Sequence, residues 1–421
     1  MKCPVLSVAL AVCAFAAPPD RNLRAGAARI DITPRGGSAL PMSGYAGRTE
    51  GFKDIHDRLY ARAIVAAGGG LEVAIVVCDI IGFSHELWER LARKMSAESG
   101  IPLERILLAG THTHGAPALR NLSEEPAGSE RAVYFQQLEN NIVSAVLQAK
   151  QNLRPARMGF GNGKATVNTN RRARMAAGDW WLGYNPEGPS DKTVAVVRLE
   201  SLDGTPFAFL INYPVHGTVL GPRNQSITSD LPGATSRFVE EHYGDSVVAA
   251  WTAGASGDQD PIYRVGTDFD QRAVLGQILG EEVIRVAQGI RTSAAADIRA
   301  GQRVVTCPGK RNPDGVRRRP DGKYEFLDAD PVEIRLSLLM LHHIAVAGVS
   351  GEVLTLIGKR LKAESPFART MMVTHANGSS GYLPDDASYD QVSYEIVTSR
   401  VKRGCAEDAI VNGLLEMMDG R

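Results

Sequence analysis

Two histidines separated by one residue follow an apolar run in the first third of the chain. Residues 106–110 lead directly into Thr111, His112, Thr113 and His114. In extended backbone, side chains two positions apart point to the same side, so both imidazoles can face one point. Neutral imidazole is a preferred zinc ligand, and a second imidazole beside a metal can carry a proton. The pair therefore predicts a metal-dependent or acid–base site. The competing interpretation is a pair of hydrogen-bonded histidines near the core.

Four further apolar runs end in the same way, in a turn of small residues that carries polar side chains. Ligands bind at the carboxyl ends of strands in α/β sheets, and glycines there let the backbone approach a ligand closely. We therefore expect all five turns to converge on one site. The polar side chains in the four further turns are His216, Asp258, Asp260, Glu352, His375 and Tyr382.

These turns contain enough donors for one zinc ion. A catalytic zinc has three or four protein ligands and an open position for water. His112, His216 and Glu352 would supply two nitrogens and one carboxylate, and Tyr382 could add a phenol oxygen, an uncommon ligand. Other interpretations remain open: Glu352 can be an acidic residue favoured in the first turn of a helix, and Tyr382 taken alone does not indicate a metal. His375 would compete with Tyr382 for the same place.

The elements that must position these side chains alternate between short apolar runs and longer amphipathic stretches. This alternation predicts an α/β fold with strands buried on both faces and flanking helices. Strands are predicted at residues 73–80, 105–110, 195–199, 207–212, 246–251, 343–349 and 370–374. Helices are predicted at residues 84–96, 138–149, 269–288 and 406–417.

The connections between these elements indicate how the sheet is built. The runs 195–199 and 207–212, joined across Asp203 and Gly204, predict a hairpin, so the sheet is expected to be mixed. Residues 170–192 are predicted to form a loop rich in Gly, Trp and Arg, and residues 308–325 a polar insertion.

The charge balance excludes some classes of partner. Lys and Arg together number 47, as do Asp and Glu, so the formal net charge is zero. No global field exists to attract nucleic acid or an anionic membrane. The expected partner is a small-molecule or lipid-like substrate. The sequence does not decide the oligomeric state.

The first residues have the features of an export signal. Lys2 is the only charge before Asp20, residues 6–17 are apolar, and residues 14–16 (Ala-Phe-Ala) fit a cleavage site. The apolar stretch is too short to span a bilayer. We therefore expect a signal peptide at residues 1–17 and a secreted or periplasmic protein.

Three cysteines lie outside this segment. Cys78 lies in an apolar run and is expected to be an inert core thiol. Because Cys78, Cys307 and Cys405 are odd in number and far apart, the sequence predicts no disulfide scaffold, and it contains no Cys-x-x-Cys metal pair.

A set of short motifs in this chain resembles the catalytic domain of the neutral/alkaline non-lysosomal ceramidases. The motifs occur in family order over about residues 25–400. The combination is specific, although each motif alone is not. The matching segments are residues 27–34, 43–46, 55–63, 111–114, 170–171, 213–216, 257–261, 350–352, 381–382 and 391–395.

This resemblance implies a fold, an activity and a set of site residues. It implies one ceramidase-like catalytic domain over residues 25–421, with mixed sheets, that hydrolyses an amide or ester in sphingolipid or other lipid metabolism. It implies a zinc ion bound by His112, His216, Glu352 and Tyr382. It also implies that His114, Arg171 and Tyr394 surround the scissile carbonyl. In the hydrolysis that this arrangement implies, Arg171 and Tyr394 stabilise the oxyanion that forms at the carbonyl, and His114 protonates the leaving group.

One position departs from the family pattern. The family has serine where this chain has Asp260. A carboxylate cannot act as a nucleophilic alcohol or hydroxyl donor, so we expect the substrate to have diverged toward a more polar amide or ester. Asp260 could instead bind substrate hydroxyls, which would suit a glycan or polyol. A catalytically idle binding protein with the same fold is the remaining alternative.

Overall fold

The computed structural model describes residues 22–35, 40–119, 125–126, 128–264, 266–295 and 297–420. The predicted signal peptide at residues 1–17 lies outside the described residues. Within them, two β-sheets pack face to face and helices cover both outer surfaces. The predicted α/β fold with mixed sheets is therefore confirmed.

The strands are numbered along the chain. They are β1 Arg24–Asp31, β2 Asp54–Ile55, β3 Tyr60–Gly68, β4 Leu71–Cys78, β5 Ile106–Gly110, β6 Arg154–Lys164, β7 Asn168–Arg174, β8 Trp180–Asn185, β9 Thr193–Ser201, β10 Pro206–Tyr213, β11 Ser226–Ile227, β12 Val248–Ala253, β13 Gln259–Pro261, β14 Ile298–Arg311, β15 Leu327–Leu341, β16 Ile344–Val349, β17 Glu352–Val353, β18 Arg369–Val373 and β19 Tyr382–Leu383.

The α-helices are numbered in the same way. They are α1 His85–Ser99, α2 Glu130–Gln151, α3 Asp230–Tyr243, α4 Phe269–Gln288, α5 Thr355–Glu364, α6 Tyr394–Thr398 and α7 Ala406–Met418. None of the helices in the described part of the chain is long and apolar enough to cross a membrane.

The larger sheet has eight strands in the order β12-β10-β9-β6-β1-β3-β4-β5. Its interior is antiparallel, whereas the edge strands β12 and β5 run parallel to β10 and β4. Alternate residues of each strand face opposite sides. In β3 and β4, Ala63 and Val76 face α1 and α2, and Ile64 and Ile75 face the second sheet. The helices α3 and α4 cover the β9, β10 and β12 end.

The second sheet has four strands in the order β14-β15-β16-β18. Leu339, Val346 and Met371 from its inner face enter the same core as Ile75 and Leu210 of the larger sheet. Each fully buried side chain of this size contributes about 1.5–3 kcal/mol. The helices α5 and α7 cover the outer face.

Polar side chains also join the two sheets near the ends of β5 and β18. Asn377 accepts from the backbone N–H of Leu108 at 2.8 Å and donates to the Ile106 carbonyl at 3.2 Å. Asn212 in β10 donates to the carbonyl of Met372 in β18 at 2.8 Å. These bonds satisfy buried polar groups. They fix the ends of the strands of one sheet against those of the other.

The strongly apolar elements were predicted correctly. All seven predicted strands and all four predicted helices are present, and β9 and β10 form the expected hairpin. Ser84 caps α1, since its hydroxyl accepts from the Leu87 N–H at 3.1 Å. The structure also has helices α3, α5 and α6, which were not predicted.

Two connections were predicted incorrectly. Residues 170–192 are not a loop, because β7 and β8 form an antiparallel hairpin within them. β7 has the sequence Asn-Thr-Asn-Arg-Arg-Ala-Arg and is almost entirely buried. The polar sequence of β7 prevented its prediction, since a strand is normally recognised by apolar residues. Part of the predicted insertion at 308–325 belongs to β14, which forms a long hairpin with β15.

The cysteines are paired in a way that the sequence did not indicate. Cys307 in β14 forms a disulfide with Cys405, 98 residues away, just before α7. Cys78 is a free, buried thiol, as predicted. Burial raises the pKa of this thiol well above its usual value, which keeps it unreactive.

Candidate metal centre

The structure brings the predicted turns together at one end of the two sheets. His112 follows β5, His216 follows β10, and Glu352 lies in β17 after β16. β17 pairs with β19 in parallel, and Glu352 lies opposite Tyr382 in this pairing. The backbone N–H of His216 donates to the Gln259 carbonyl at 3.0 Å, which connects the turn after β12. Both sheets therefore contribute to one site.

His112, His216 and Glu352 are spaced as ligands of a single cation. The Nε2 atoms of His112 and His216 lie 3.6 Å and 3.3 Å from Glu352 Oε2. Two ligand atoms on a tetrahedral zinc with bonds of about 2.0–2.1 Å would be about 3.3 Å apart. Glu352 Oε2 has no hydrogen-bond partner in the part of the chain that the structure describes. A buried acceptor of this kind is costly unless a ligand satisfies it.

The two histidines are held in the form that binds a metal. His112 Nδ1 lies 2.8 Å from the Ile81 carbonyl, and His216 Nδ1 lies 2.9 Å from the Ser256 carbonyl. An N–H at Nδ1 donates to each carbonyl and leaves the Nε2 lone pair facing Glu352. Burial, together with the neighbouring imidazoles, holds the pKa of His112 well below its usual value. His112 is therefore neutral, as ligation requires.

The backbone at His112 is in the left-handed region, with φ of 64°. This conformation is uncommon for residues other than glycine and clusters at functional sites. His375 has a φ of 54°, and its ring stacks on His112 with centroids 3.8 Å apart. Burial lowers the pKa of His375 to about 4. His375 is therefore neutral and packs against one face of the His112 ring.

His114 lies beside His112 and His216 and gives an alternative candidate ligand set. Its Nε2 is 3.4 Å from His112 Nε2, and ligand atoms of His112, His114 and His216 all lie within 4.8 Å of one another. No described residue hydrogen-bonds His114 Nδ1, so its tautomer is not fixed as it is in His112 and His216. Burial and the adjacent His216 hold the pKa of His114 well below its usual value. An unconstrained neutral imidazole suits a proton carrier better than a ligand.

Tyr382 lies within the cluster with its hydroxyl between Arg171 and Glu352. Arg171 Nη2 donates to the phenol oxygen at 2.9 Å, and the hydroxyl also hydrogen-bonds the Glu352 carboxylate. Burial and the charge of Glu352 raise the pKa of Tyr382 well above its usual value. The side chain of Glu352 is 20% exposed, although its Oε2 atom is buried.

Arg171 connects the metal cluster to two further carboxylates. Its Nε donates to Glu395 Oε1 at 2.7 Å and its Nη1 to Asp260 Oδ1 at 3.2 Å. Burial opposes its charge, but Tyr382, Asp260 and Glu395 keep the pKa of Arg171 well above its usual value. Nη1 also lies 3.2 Å from His216 Nε2. A cation on that nitrogen would replace this contact and leave Arg171 held by the carboxylates.

Tyr394 lies on the same side of the cluster as Arg171. The ring of Tyr394 is 5.9 Å from the Arg171 guanidinium carbon and 5.7 Å from the ring of Tyr382. Trp181 in β8 contacts the other side of Tyr394 edge to face, at 6.0 Å. The ring of Tyr394 therefore lies beside both Arg171 and Tyr382.

Each carboxylate oxygen of Asp260 accepts a hydrogen bond from an arginine. Its Oδ1 accepts from Arg171, and its Oδ2 accepts from Arg264 Nη1 at 2.9 Å. Burial opposes ionisation, but the charges of Arg171 and Arg264 outweigh it and lower the pKa of Asp260. Asp260 therefore positions Arg171. Hydrogen bonding to substrate hydroxyls, which we inferred as one use of this residue, would have to compete with both arginines.

Several residues at the site were not predicted from the sequence. Glu395 and Tyr45 were noticed only within motifs, and Arg264 was not singled out. The ring of Tyr45 contacts that of His114 edge to face at 4.9 Å. A buried aspartate requires cationic partners. This requirement of Asp260 was the one available indication that an arginine such as Arg264 lies beside it.

Comparison with known proteins matches this chain to one family. The family model described as "Neutral/alkaline non-lysosomal ceramidase, N-terminal" matches residues 23–270. "Neutral ceramidase A" of Dictyostelium discoideum is 28% identical over 281 residues, which cover 60% of this chain and 37% of that protein. "Neutral ceramidase" of Pseudomonas aeruginosa is 28% identical over 269 residues, covering 60% and 39%. The aligned part is thus well under half of each relative.

Solved structures show the same fold over a larger part of the chain. The structure titled "Crystal Structure Analysis of neutral ceramidase from Pseudomonas aeruginosa" superposes with a TM-score of 0.77 at 18% identity, covering 95% of this chain and 75% of that chain. "Ceramidase complexed with C2" gives a TM-score of 0.78, also at 18% identity, with 95% and 76% covered.

Proposed function

Because this chain belongs to the neutral/alkaline non-lysosomal ceramidase family, we propose that it is a zinc-dependent hydrolase of an amide or ester bond. The observation that carries the proposal is the meeting of His112, His216 and Glu352 at ligand spacing, with an unpartnered carboxylate oxygen between the imidazoles. Tyr382 is the proposed fourth ligand.

The residues present fit a zinc ion. Two imidazoles with backbone-fixed tautomers and one carboxylate are a common donor set for catalytic zinc. Bound there, zinc would supply Lewis-acid polarisation of a carbonyl and would make water a nucleophile near neutral pH.

The side chains around the ligands would act on the substrate itself. Arg171, fixed by Glu395 and Asp260, and Tyr394 would hydrogen-bond the carbonyl oxygen as its negative charge develops. One preorganised donor of this kind contributes about 3 kcal/mol to the transition state. His114 is neutral, so it would first accept a proton from the attacking water and then donate it to the leaving nitrogen or oxygen.

The proposed reaction adds one water across the bond. The water oxygen forms a bond to the carbonyl carbon, and the bond from that carbon to nitrogen or oxygen breaks. One water proton passes through His114 to the leaving group, which departs as an amine or alcohol. The acyl part departs as a carboxylic acid.

We also propose that the protein acts outside the cytosol. The disulfide between Cys307 and Cys405 supports this, since structural disulfides persist in oxidising compartments. The proposed export signal at residues 1–17 agrees with it. Measuring whether the chain expressed in a bacterial host reaches the periplasm tests the proposal, and retention in the cytosol would contradict it.

Zinc content and turnover test the proposed function together. We expect about one zinc per chain by elemental analysis, and zinc-dependent release of fatty acid from a panel of N-acyl amides and O-acyl esters. His112→Ala and His216→Ala should lose both zinc and turnover. His242→Ala, at the C-terminal end of α3, is the matched control and should keep both.

Two outcomes would contradict the proposal in different ways. A chain that binds zinc but hydrolyses no member of the panel would favour the catalytically idle alternative. Full turnover by His112→Ala, or by the chelated protein, would show that the reaction does not use this centre.

A further inference from the structure

Arg264 lies at the edge of the metal centre and is partly open to solvent. Its Nη1 donates to Asp260 Oδ2 at 2.9 Å, and it also hydrogen-bonds the side chain of Tyr45. The side chain of Arg264 is 40% exposed, whereas that of Asp260 is 4% exposed. A guanidinium has five N–H donors. The bonds to Asp260 and Tyr45 use two of these donors, which leaves others for a ligand.

Two separate routes of contact join Arg264 to the catalytic cluster. On one side, Asp260 bridges Arg264 to Arg171, and Arg171 lies 3.2 Å from His216 Nε2. On the other side, the hydroxyl of Tyr45 hydrogen-bonds Arg264, and the ring of Tyr45 contacts that of His114. Arg264 is therefore linked to the candidate metal ligands by two chains of side-chain contacts.

The charges around this cluster favour an anionic ligand. Arg48 stacks over Tyr45 at 4.7 Å, which brings a third guanidinium to the site beside Arg171 and Arg264. Burial lowers the pKa of Arg48 to about 10, so it is charged at neutral pH. With Arg172, which pairs with Glu395, four guanidiniums face four carboxylates, and a bound divalent cation would add a positive excess. The four carboxylates are Asp230, Asp260, Glu352 and Glu395.

Asp260 fixes Arg264 in place without neutralising the pair of arginines. Asp260 is shared by Arg171 and Arg264, and Glu395 by Arg171 and Arg172, so two carboxylates face three guanidiniums and one positive charge remains; Arg264, the most exposed of the three, carries the part that a ligand can reach. A planar fork held by an ion pair is preorganised to bind an anion with two parallel hydrogen bonds. A neutral lipid would leave the remaining donors of Arg264 to water.

We propose that Arg264 binds an anionic group of the substrate, so that the enzyme acts on N-acyl or O-acyl compounds that carry a carboxylate or a comparable oxyanion. This inference rests on the proposed hydrolase function and adds the substrate class to it. Arg264 is the specificity-determining residue, and Asp260 is the positioning residue that orients it.

Pairs of substrates that are similar in shape but differ in charge test this inference with the zinc-loaded full-length chain. One pair is N-octanoylglycine and N-octanoylglycinamide, with the charge on the amine side. The other is the p-nitroanilides of glutaric and pentanoic acid, with the charge on the acyl side. In at least one pair we expect kcat/KM to be about tenfold higher for the anion, the effect of one charge-assisted hydrogen bond.

Variants at Arg264 separate recognition of charge from general damage. Arg264→Gln should bring the ratio of kcat/KM within the preferred pair close to one. Arg264→Lys, which keeps the charge, should retain most of the preference. Arg93→Gln removes an arginine that is 70% exposed on α1 and should leave the ratio unchanged.

Binding to the metal-free chain gives a readout that does not depend on catalysis. Calorimetric titration should show N-octanoylglycine binding about tenfold more tightly than the glycinamide, with the difference lost in Arg264→Gln. If this difference is found but zinc-loaded protein hydrolyses nothing, the hydrolase proposal fails and anion recognition stands. Equal kcat/KM within both pairs, or a preference that survives in Arg264→Gln, would overturn the inference.

Discussion

Replacing Asp260 by alanine should lower the free energy of unfolding by about 3 kcal/mol. Most of this loss comes from Arg171, whose side chain is 6% exposed. Removing one partner of a buried ion pair costs about 3–5 kcal/mol, and Glu395 remains to hold Arg171, which keeps the loss near the lower end. The pair with Arg264 adds little, since that side chain is 40% exposed and such pairs contribute about 0–1 kcal/mol.

Asp260→Asn isolates the contribution of the charge. It keeps the volume and one acceptor oxygen, so we expect it to cost about half as much as the alanine variant. The pKa of Asp260 is lowered in the folded protein. Its stabilising contribution is therefore complete above the unfolded pKa of about 3.9 and is lost as the pH falls through the lower folded pKa. The difference between wild type and Asp260→Asn should be constant near neutral pH and should shrink only in acid.

Equilibrium unfolding in urea, followed by tryptophan fluorescence, measures these differences. Asp390→Ala is the matched control, because this carboxylate is 66% exposed in its pair with Arg403 and should cost less than about 1 kcal/mol. A double-mutant cycle of Asp260→Ala with Arg264→Ala should give a coupling below about 1 kcal/mol. The reasoning is refuted if Asp260→Ala costs no more than Asp390→Ala, or if the Asp260→Asn penalty grows as the pH is lowered.

Three other perturbations test the fold and the metal centre. Replacing both Cys307 and Cys405 by serine should cost up to about 4.7 kcal/mol in urea unfolding, since the bond closes a loop of 98 residues; a loss below 1 kcal/mol would contradict this. Arg62→Met leaves the buried carboxylate of Glu240 without its main partner and should cost about 3–5 kcal/mol, against no measurable change for Arg58→Met at the surface. Zinc at about 1,000 times its Kd should stabilise the wild type by about 4 kcal/mol in thermal unfolding and Glu352→Ala by much less; equal stabilisation would place the ion elsewhere.

The parts of the fold that could be predicted are those whose residues have the same polarity as their surroundings. The strands β5, β10 and β12 are continuous apolar runs, and each was predicted within two residues at either end. β7 could not be, because its arginines and asparagines are buried by pairing with partners distant in sequence. Helix α3 was hidden by Pro232 and Gly233 in its first turn, residues that normally indicate a break.

The site residues also divide into those marked by apolar strands and those placed by partners distant in sequence. His112, His216 and Glu352 were found because each directly follows an apolar strand. Tyr382, Arg171 and Tyr394 were chosen through the family resemblance, because their spacing in the sequence could not have selected them. Arg264 follows an irregular turn, and its role is set only by the position of Asp260 after folding. Side chains that act through a buried partner give no periodic pattern along the chain.

The polar bonds between the two sheets have a consequence for which parts of this protein can change. Asn377 and Asn212 fix the strand ends that lead to the candidate metal ligands, so a sliding movement of one sheet over the other would pull those side chains apart before it disturbed the apolar core. At the opposite end of the sandwich, the turn at Gly69 and Gly70 has no such bonds across to the second sheet among the described residues, and added side-chain atoms there would meet open space. We therefore expect inserted residues to be tolerated in that turn and to abolish activity when placed beside Asn377.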